Sequence, residues 1–199
     1  MLAVAIGAGA VLMLSALGEG ARRYVVREFA ALGTNLLIVL PGRSETAGAA
    51  PGLFVGMTPR ELTLEDALAL LRSPHVRRVA PVVVGSAPVS RGAREREATV
   101  LGSTAELVRV RHWRLARGRN LPEGDPRRAL AVCLLGATVA RELFGADPPL
   151  GQWVRIGDRR FRVIGVLAPQ GFALGVKVDE MVVVPVASAQ ALFDTSGLF

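Results

Sequence analysis

The clearest structural signal in this chain is the stretch VRIGDRRFRVIGV, residues 154–166. Apolar and charged residues alternate on both sides of Gly157-Asp158, a period of two that is typical of strands with one buried face. A Gly-Asp pair between two such runs predicts a β-hairpin with a two-residue turn. We therefore expect Phe161 to lie in the core, while Arg160 and Arg162 face solvent.

The segments around the hairpin alternate between strand and helix patterns. Residues 130–135 predict a buried strand, and residues 137–144 predict a helix that ends at Gly145 as its C-cap. The run Asp147-Pro148-Pro149 then favours extended chain. After the hairpin, the sequence predicts a loop at 171–175, a last strand at 181–186 and the start of a helix in ASAQALF, residues 187–193.

The upstream half contains a second helix with a defined start. Thr63 is a good N-cap, and Asp66 three residues later predicts a weak capping box. The helix runs over residues 64–71 and stops at Ser73-Pro74. It lies between a predicted apolar strand at 35–40 and a second predicted strand at 79–84, so the three together resemble a βαβ unit.

Two further upstream segments have weaker patterns. Residues 43–58 are rich in Gly, Ala, Ser and Pro, which predicts a mobile loop. Residues 91–102 predict a polar turn or a strand end, followed by a strand. The segment around Trp113 fits no single pattern.

The N-terminus predicts a membrane segment. The chain is 51% hydrophobic, with a mean hydropathy of +0.39. Residues 1–17 carry no charge and would span roughly 26 Å as a helix, just short of a ~30 Å hydrocarbon core. No basic residue precedes this run and no good cleavage site follows it, which favours an uncleaved anchor over a secretory signal. The positive-inside rule would place the rest of the chain in the cytoplasm, because arginines follow the run at 22, 23 and 27. We expect further sequence before Met1, which weakens that argument.

A helix is predicted directly after the apolar run. Ala21, Val25, Phe29 and Leu32 form one apolar stripe, and Gly33 is placed as the C-cap glycine. The stripe is compatible with an ordinary amphipathic surface helix or with a stalk that continues the membrane helix.

Composition argues against several classes of function. The net charge is +7, but 23 of the 24 basic residues are scattered arginines and aromatics make up only 5%, so no nucleic-acid partner is predicted. Cys133 is the only cysteine, and the histidines His75 and His112 are far apart in sequence. We therefore predict no disulfide, no metal-binding residues and no cofactor-binding residues.

No catalytic motif is present, and we predict no catalytic residues and no enzyme activity. The sequence lacks G-x-S-x-G, H-E-x-x-H, G-x-x-x-x-G-K-[ST] and a G-x-G-x-x-G after a strand. Asp179-Glu180 is interpreted as a solvated strand entry rather than an acid/base pair. The remaining serines considered as nucleophiles have no nearby histidine in sequence; they are Ser86, Ser90 and Ser103.

Several runs resemble a known family in the same order along nearly the whole chain. They include ALGEGARRYVVREFAALGTNLLIVLPGR, LTLEDALALL, LLGATVARELFGADPPLGQWVRIGDRRFRVIGVLAP and DEMVVVPVASAQALF. These runs are similar to the MacB-like periplasmic core domain of ABC-transporter permeases, within the FtsX-like permeases. The resemblance implies an α+β fold, in which a transmembrane and stalk helix precedes a porter-like βαβ subdomain that carries an inserted small α/β subdomain.

The resemblance also implies boundaries. They are a truncated membrane helix at 1–17, a stalk helix at 18–33, the first half of the porter-like subdomain at 34–98, the inserted subdomain at 99–187 and a return segment at 188–199. The second half of the porter-like subdomain is expected after Phe199.

The implied function is that of the extracytoplasmic part of a permease, acting in export or in mechanical coupling of ATP hydrolysis across the envelope. The implied setting is the bacterial inner membrane, with most of the chain periplasmic. The implied partners are the membrane, a second permease subunit in a homodimer or a pair, and a cytoplasmic ABC ATPase, with a periplasmic adaptor protein as a further candidate. The alternative is a single-pass, membrane-anchored ligand-binding or sensor domain without a transport role.

Overall fold

The computed structural model describes Met13 and residues 36–41, 62–173, 176–193 and 197–198. The chain divides into two compact units, Met1–Ile38 and Val39–Phe199, and nearly all described residues belong to the second. Among the residues described, no helix is both long and apolar enough to cross a membrane. The predicted membrane segment apart from Met13, the stalk helix and the loop at 43–58 lie outside the described residues.

The second unit is a mixed domain of α-helices and β-strands, as the sequence predicts. Its described helices are α1 (Leu64–Ala69), extended by the 3-10 turn Leu70–Arg72, α2 (Glu106–Val110), α3 (Ala137–Phe144) and α4 (Val186–Phe193). A second 3-10 turn, Val178–Glu180, precedes the last strand.

Local sequence explains where α1 and α3 begin and end. The predicted capping box of α1 is confirmed, since Asp66 N donates to Thr63 Oγ1 at 3.2 Å and Thr63 N donates to Asp66 Oδ2 at 3.0 Å. Helix α3 ends at Gly145, whose φ of 61° is in the left-handed region that favours glycine, so the predicted C-cap is also confirmed.

The described strands are nine, and most of them belong to one sheet. They are β1 (Val83–Arg91), β2 (Arg94–Ser103), β3 (Leu115–Gly118), β4 (Val132–Leu135), β5 (Trp153–Ile156), β6 (Arg159–Leu167), β7 (Phe172–Ala173), β8 (Val176–Lys177) and β9 (Met181–Pro185). Strands β7 and β8 form a separate two-stranded ladder.

Six of these strands close into a ring. Strand β1 pairs antiparallel with β2, β2 parallel with β9, β9 antiparallel with β4, and β4 parallel with β6. Strand β6 pairs antiparallel with β5, and β5 returns antiparallel to β1. The second half of β6 also pairs with β3. A closed ring leaves fewer free strand edges than an open sheet does.

The predicted hairpin is confirmed as β5–β6. Val154 pairs with Phe161 and Ile156 pairs with Arg159, so the turn residues are those predicted. Gly157 has a φ of 57°, which the favoured two-residue hairpin turns require.

The core lies on both faces of the sheet. In β4 and β9, neighbouring residues contribute to opposite clusters: Cys133 and Val182 to one, Leu134 and Val183 to the other. The larger cluster gathers one face of all six ring strands with α1, α3 and α4, and its members include Val83, Val89, Val100, Leu135, Leu143, Phe144, Val154, Ile156, Phe161 and Val163. The smaller one packs β4 and β9 against α2.

Three expectations about the upstream elements are wrong. Residues 36–40 form no strand, and Leu37 is 83% exposed, because these residues take part in none of the described ladders and a strand needs a hydrogen-bonded neighbour. The strand predicted at 79–84 begins only at Val83; Pro81 lacks the N–H that a ladder needs. Strand β1 then pairs antiparallel with β2, so the described residues of 36–41 and 62–91 contain no βαβ unit.

Two downstream boundaries also differ from the sequence predictions. The last strand ends at Pro185 and α4 starts at Val186, while part of the loop predicted at 171–175 belongs to the ladder of β7 and β8. The predicted boundary between residues 98 and 99 falls inside β2, and the division into subdomains stays a prediction.

Candidate interaction surface

Two of the serines considered as nucleophiles form structural hydrogen bonds. Ser86 Oγ donates to Glu97 Oε1 at 2.6 Å, and Ser103 Oγ donates to the Pro81 carbonyl at 2.6 Å. His75 and His112 are both exposed, and His112 has a positive φ of 52° just after α2. These contacts hold β1, β2 and the segment before β1 together, and in neither is the serine hydroxyl paired with a histidine base.

The single cysteine is buried in the core. Cys133 lies on β4 at 0% exposure, and burial raises the pKa of its thiol well above the usual range. A thiol held protonated in an apolar core is a poor nucleophile and a poor metal ligand. Within the part of the chain that the structure describes, no group of three or more His, Cys, Asp or Glu residues could hold a metal ion.

The carboxylates before β9 fasten loops. Asp179 accepts hydrogen bonds from Gln170 N at 2.8 Å and from Gly171 N at 3.1 Å. Glu180 lies 3.1 Å from Lys177 Nζ and 3.6 Å from Arg96. The two acidic residues therefore stabilise the entry to β9 rather than face each other as an acid/base pair.

The feature that stands out on the described surface is an arginine-rich face of the β5–β6 hairpin, defined by Arg155, Arg160, Arg162 and Trp153. Alternation builds it: Val154, Ile156 and Phe161 point into the core, so the residues between them point outward. Arg155 pairs directly with Arg160, and Trp153 pairs with Arg162. We call this surface the arginine face.

Strand β1 adds a third member to the same row. Ser90 pairs with Arg155 across the β1–β5 ladder, so Ser90, Arg155 and Arg160 share one side of the sheet. That ladder is only two residues long, and beyond it β1 turns away at Gly92. An open depression of about 630 Å³ lies there, lined by Ser90, Arg91, Gly92, Trp153, Val154, Arg155 and Arg160.

The charges of the arginine face are not neutralised among the described residues. Arg155 Nε donates to the Gly157 carbonyl at 3.1 Å, and Arg162 Nε donates to the Gly151 carbonyl at 3.2 Å. Neither these two guanidinium groups nor that of Arg160 is within ion-pair distance of a described carboxylate. Like charges placed directly opposite each other on neighbouring strands destabilise a hairpin by up to about 1 kcal/mol.

Several arginines elsewhere on the domain have acidic partners. Arg91 Nη1 lies 3.1 Å from Asp147 Oδ2, and Arg91 Cζ lies 4.4 Å from the centroid of the Phe144 ring. Arg96 Nη1 lies 2.6 Å from Glu142 Oε2. Both partners belong to α3 or the turn after it.

A bidentate ion pair links α1 to the loop between β3 and β4. Arg127 bonds both carboxylate oxygens of Glu65, at 2.9 and 2.7 Å, and these hydrogen bonds raise the pKa of Arg127. Similarly, hydrogen bonds to Glu106 and Glu123 raise the pKa of Arg109. The arginine face differs from these sites in its lack of such partners.

Sequence reasoning found part of this surface. It predicted that Arg160 and Arg162 face solvent, and the structure confirms both. It did not single out Trp153 or Arg155, although the hairpin register already places Arg155 opposite Arg160. Only the long-range β1–β5 ladder brings Ser90 beside them.

Comparison with known families identifies the domain type. The family model for the MacB-like periplasmic core domain matches residues 1–198. A macrolide export ATP-binding/permease protein MacB from Syntrophobacter fumaroxidans is 34% identical over 187 residues, covering 92% of this chain and 26% of the relative. A pyoverdine export ATP-binding/permease protein PvdT from Pseudomonas aeruginosa is 32% identical over 197 residues, covering 98% of this chain and 28% of the relative. The chain thus spans about a quarter of the length of these relatives.

Solved structures share the fold. The periplasmic region of MacB from Actinobacillus actinomycetemcomitans superposes with a TM-score of 0.62 at 22% identity, covering 71% of this chain and 64% of that one. The extracellular domain of the transporter YknZ from Gram-positive bacteria gives a TM-score of 0.60 at 24% identity, with 71% of each chain covered. With a family match over residues 1–198 and a fold shared with these domains, the chain belongs to the MacB-like periplasmic core domain family.

Proposed function

We propose that this chain forms the extracytoplasmic part of an ABC-transporter permease subunit that acts in export or in mechanical coupling across the cell envelope. The observation that carries the proposal is the family match over residues 1–198, supported by relatives named as export ATP-binding/permease proteins. Nucleotide binding and hydrolysis then belong to other parts of the transporter, since the sequence has no phosphate-binding loop.

The proposed location of the domain is opposite to the one that the positive-inside rule predicts from residues 1–27 alone. The arginines at 22, 23 and 27 would favour a cytoplasmic domain if residues 1–17 were the only guide. Family membership favours the opposite side, and the charges that precede a first membrane helix also contribute to its orientation. Residues after the stalk are therefore proposed to lie outside the cytoplasm.

The mechanical part of the proposal concerns how motion reaches the domain. A closed ring of six strands with helices packed on its core is a stiff body, because each ring strand is hydrogen-bonded on two sides. The short Gly33-Thr34 connection after the predicted stalk helix would leave little slack between stalk and domain. ATP-driven motion of the membrane helices would then move the whole domain as a unit.

A flexible insertion tests this coupling without knowledge of the substrate. In the complete transporter with any cysteines outside residues 1–199 replaced by serine, a fluorophore on Asp158→Cys would report ATP-dependent motion, because Asp158 is at the exposed hairpin turn and Cys133 is buried. Inserting Gly-Gly-Ser-Gly after Gly33 should abolish the ATP-dependent fluorescence change while ATP hydrolysis continues.

The matched control places the same insertion after Gly124, an exposed loop position where nothing lies within 4 Å of an added Cβ. This variant should keep both hydrolysis and the fluorescence change. If the signal survives the insertion after Gly33, the short connection does not transmit the motion and the coupling proposal fails.

A further inference from the structure

We propose that the arginine face of the β5–β6 hairpin is a docking surface for an acidic, extended segment of a protein partner. The inference does not rest on the transport function, because it follows from the charge, exposure and shape of this face alone. It commits to a segment with a carboxylate and an apolar side chain two residues apart, which point to the same side of an extended chain.

Charge complementarity is the first support. Arg155 and Arg160 are directly opposite, and neither has a carboxylate partner among the described residues, whereas Arg91, Arg96 and Arg127 do. The fork of a guanidinium group matches the two oxygens of a carboxylate, so a Glu or Asp side chain between the two arginines would relieve their repulsion.

The exposed aromatic ring is the second support. Trp153 is 55% exposed and shares the outward side with Arg162, its cross-strand partner. Tryptophan and arginine are the residue types that most often contribute binding energy at protein interfaces. The depression of about 630 Å³ beside Trp153 would take the apolar side chain of the partner segment.

The spacing of the outward side chains on β5 favours an extended partner segment. Alternate residues of a strand lie about 6.5–7 Å apart, so an extended peptide laid along β5 repeats at the spacing that separates Arg155 from Trp153. The depression opens at the end of the two-residue β1–β5 ladder, where β5 continues past β1, and a chain can enter from the turn at Gly92. A single exposed tryptophan is too few aromatics for a nucleic-acid stacking surface.

A peptide titration tests the proposal on the 199-residue chain in mild detergent. The probe is a fluorescein-labelled peptide that repeats Glu-Ser-Phe-Ser, so that Glu and Phe share one side of an extended chain. A Gln-Ser-Phe-Ser peptide is its uncharged counterpart, and binding is measured by fluorescence anisotropy at physiological salt. We expect binding of the Glu peptide only. The double variant Arg155→Glu, Arg160→Glu should raise the Kd for the Glu peptide by about tenfold or more.

Two controls separate a specific surface from general attraction. The pair Arg72→Glu and Arg77→Glu changes the net charge equally, from +7 to +3, at exposed arginines outside the arginine face. It should change the Kd by less than about threefold. The single change Arg160→Glu creates a cross-strand ion pair with Arg155, so it should weaken binding while the melting temperature stays equal or rises.

Three results would overturn the proposal. They are no binding of the Glu peptide, equal losses in both double variants, or binding of the Gln peptide as tight as that of the Glu peptide. A fourth would reassign the face: if vesicles of phosphatidylcholine and phosphatidylglycerol in equal parts bind through Arg155 and Arg160 while the Glu peptide does not, the partner is an anionic membrane surface and not a protein.

Discussion

Replacing Phe161 by alanine should remove a large part of the stability of the domain. Phe161 is 2% exposed and lies in the larger core cluster with its cross-strand partner Val154. Deleting a buried phenyl group leaves a cavity that the surrounding strands cannot fill, and such changes lower the free energy of unfolding by about 3–5 kcal/mol. Domains of this kind are stable by only about 5–15 kcal/mol, so the loss would be a substantial fraction.

The neighbouring position provides a matched control. Arg162 is exposed and its described hydrogen bond is the one from Nε to the Gly151 carbonyl at 3.2 Å. Arg162→Ala should cost about 0.5 kcal/mol or less. The contrast arises because a shift of one residue in a strand moves every side chain to the opposite face.

Thermal unfolding followed by far-UV circular dichroism measures both variants. For a chain of this length, each kcal/mol shifts the melting temperature by about 2–4 °C, so Phe161→Ala should melt roughly 6–20 °C lower. Phe161→Leu, which keeps most of the volume, should fall between the wild type and the alanine variant. Equal losses for Phe161→Ala and Arg162→Ala would show that the assigned register is wrong.

Three further predictions concern the core and nucleotide binding. Because burial holds the pKa of Cys133 above its ordinary 9.0, the thiol of the unfolded chain ionises first, and the free energy of unfolding should fall by about 1.4 kcal/mol per pH unit above pH 9. Urea unfolding at a series of pH values measures this slope, and Cys133→Ala should lack it. The slope can be assigned to Cys133 because the chain has only one lysine and one tyrosine that would titrate in the same range. A Cβ on Gly102 would lie 2.2 Å from the Ala189 Cβ, so Gly102→Ala should lower the free energy of unfolding by about 1–3 kcal/mol in the same assay. Adding Ala189→Gly to this variant should restore part of the lost stability. If the two substitutions instead lower the stability additively, the contact is contradicted. Labelled ATP should bind only weakly and lose its affinity as salt is added, as expected of screened attraction to a +7 chain; micromolar binding that survives salt would reveal an unrecognised pocket.

Local sequence was sufficient where one short segment determines the structure. The turn glycine and the period of two fixed the β5–β6 hairpin, and Gly145 fixed the end of α3. The capping residues Thr63 and Asp66 likewise placed the start of α1. In each case the physical cause lies within a few residues of the feature, so a pattern can report it.

Features that depend on distant pairing could not be predicted. The ring closes through Val89 and Ile156, which are 67 residues apart, and no local pattern specifies that ladder. The apolar run at 36–40 has the composition of a buried strand but no described strand beside it. The arginine face was half predicted for the same reason, since its hairpin register is local and the position of Ser90 is not.

The most direct test of the central claim is the side of the membrane on which the domain lies. In the complete protein with any cysteines outside residues 1–199 replaced by serine, Asp158→Cys places a thiol on a side chain that is 77% exposed. The buried Cys133 then makes the protein without Asp158→Cys a low-background control. Intact cells treated with a membrane-impermeant maleimide should label the variant and not the control. If the variant is labelled only after the inner membrane is broken, the domain lies in the cytoplasm and the proposed role is wrong.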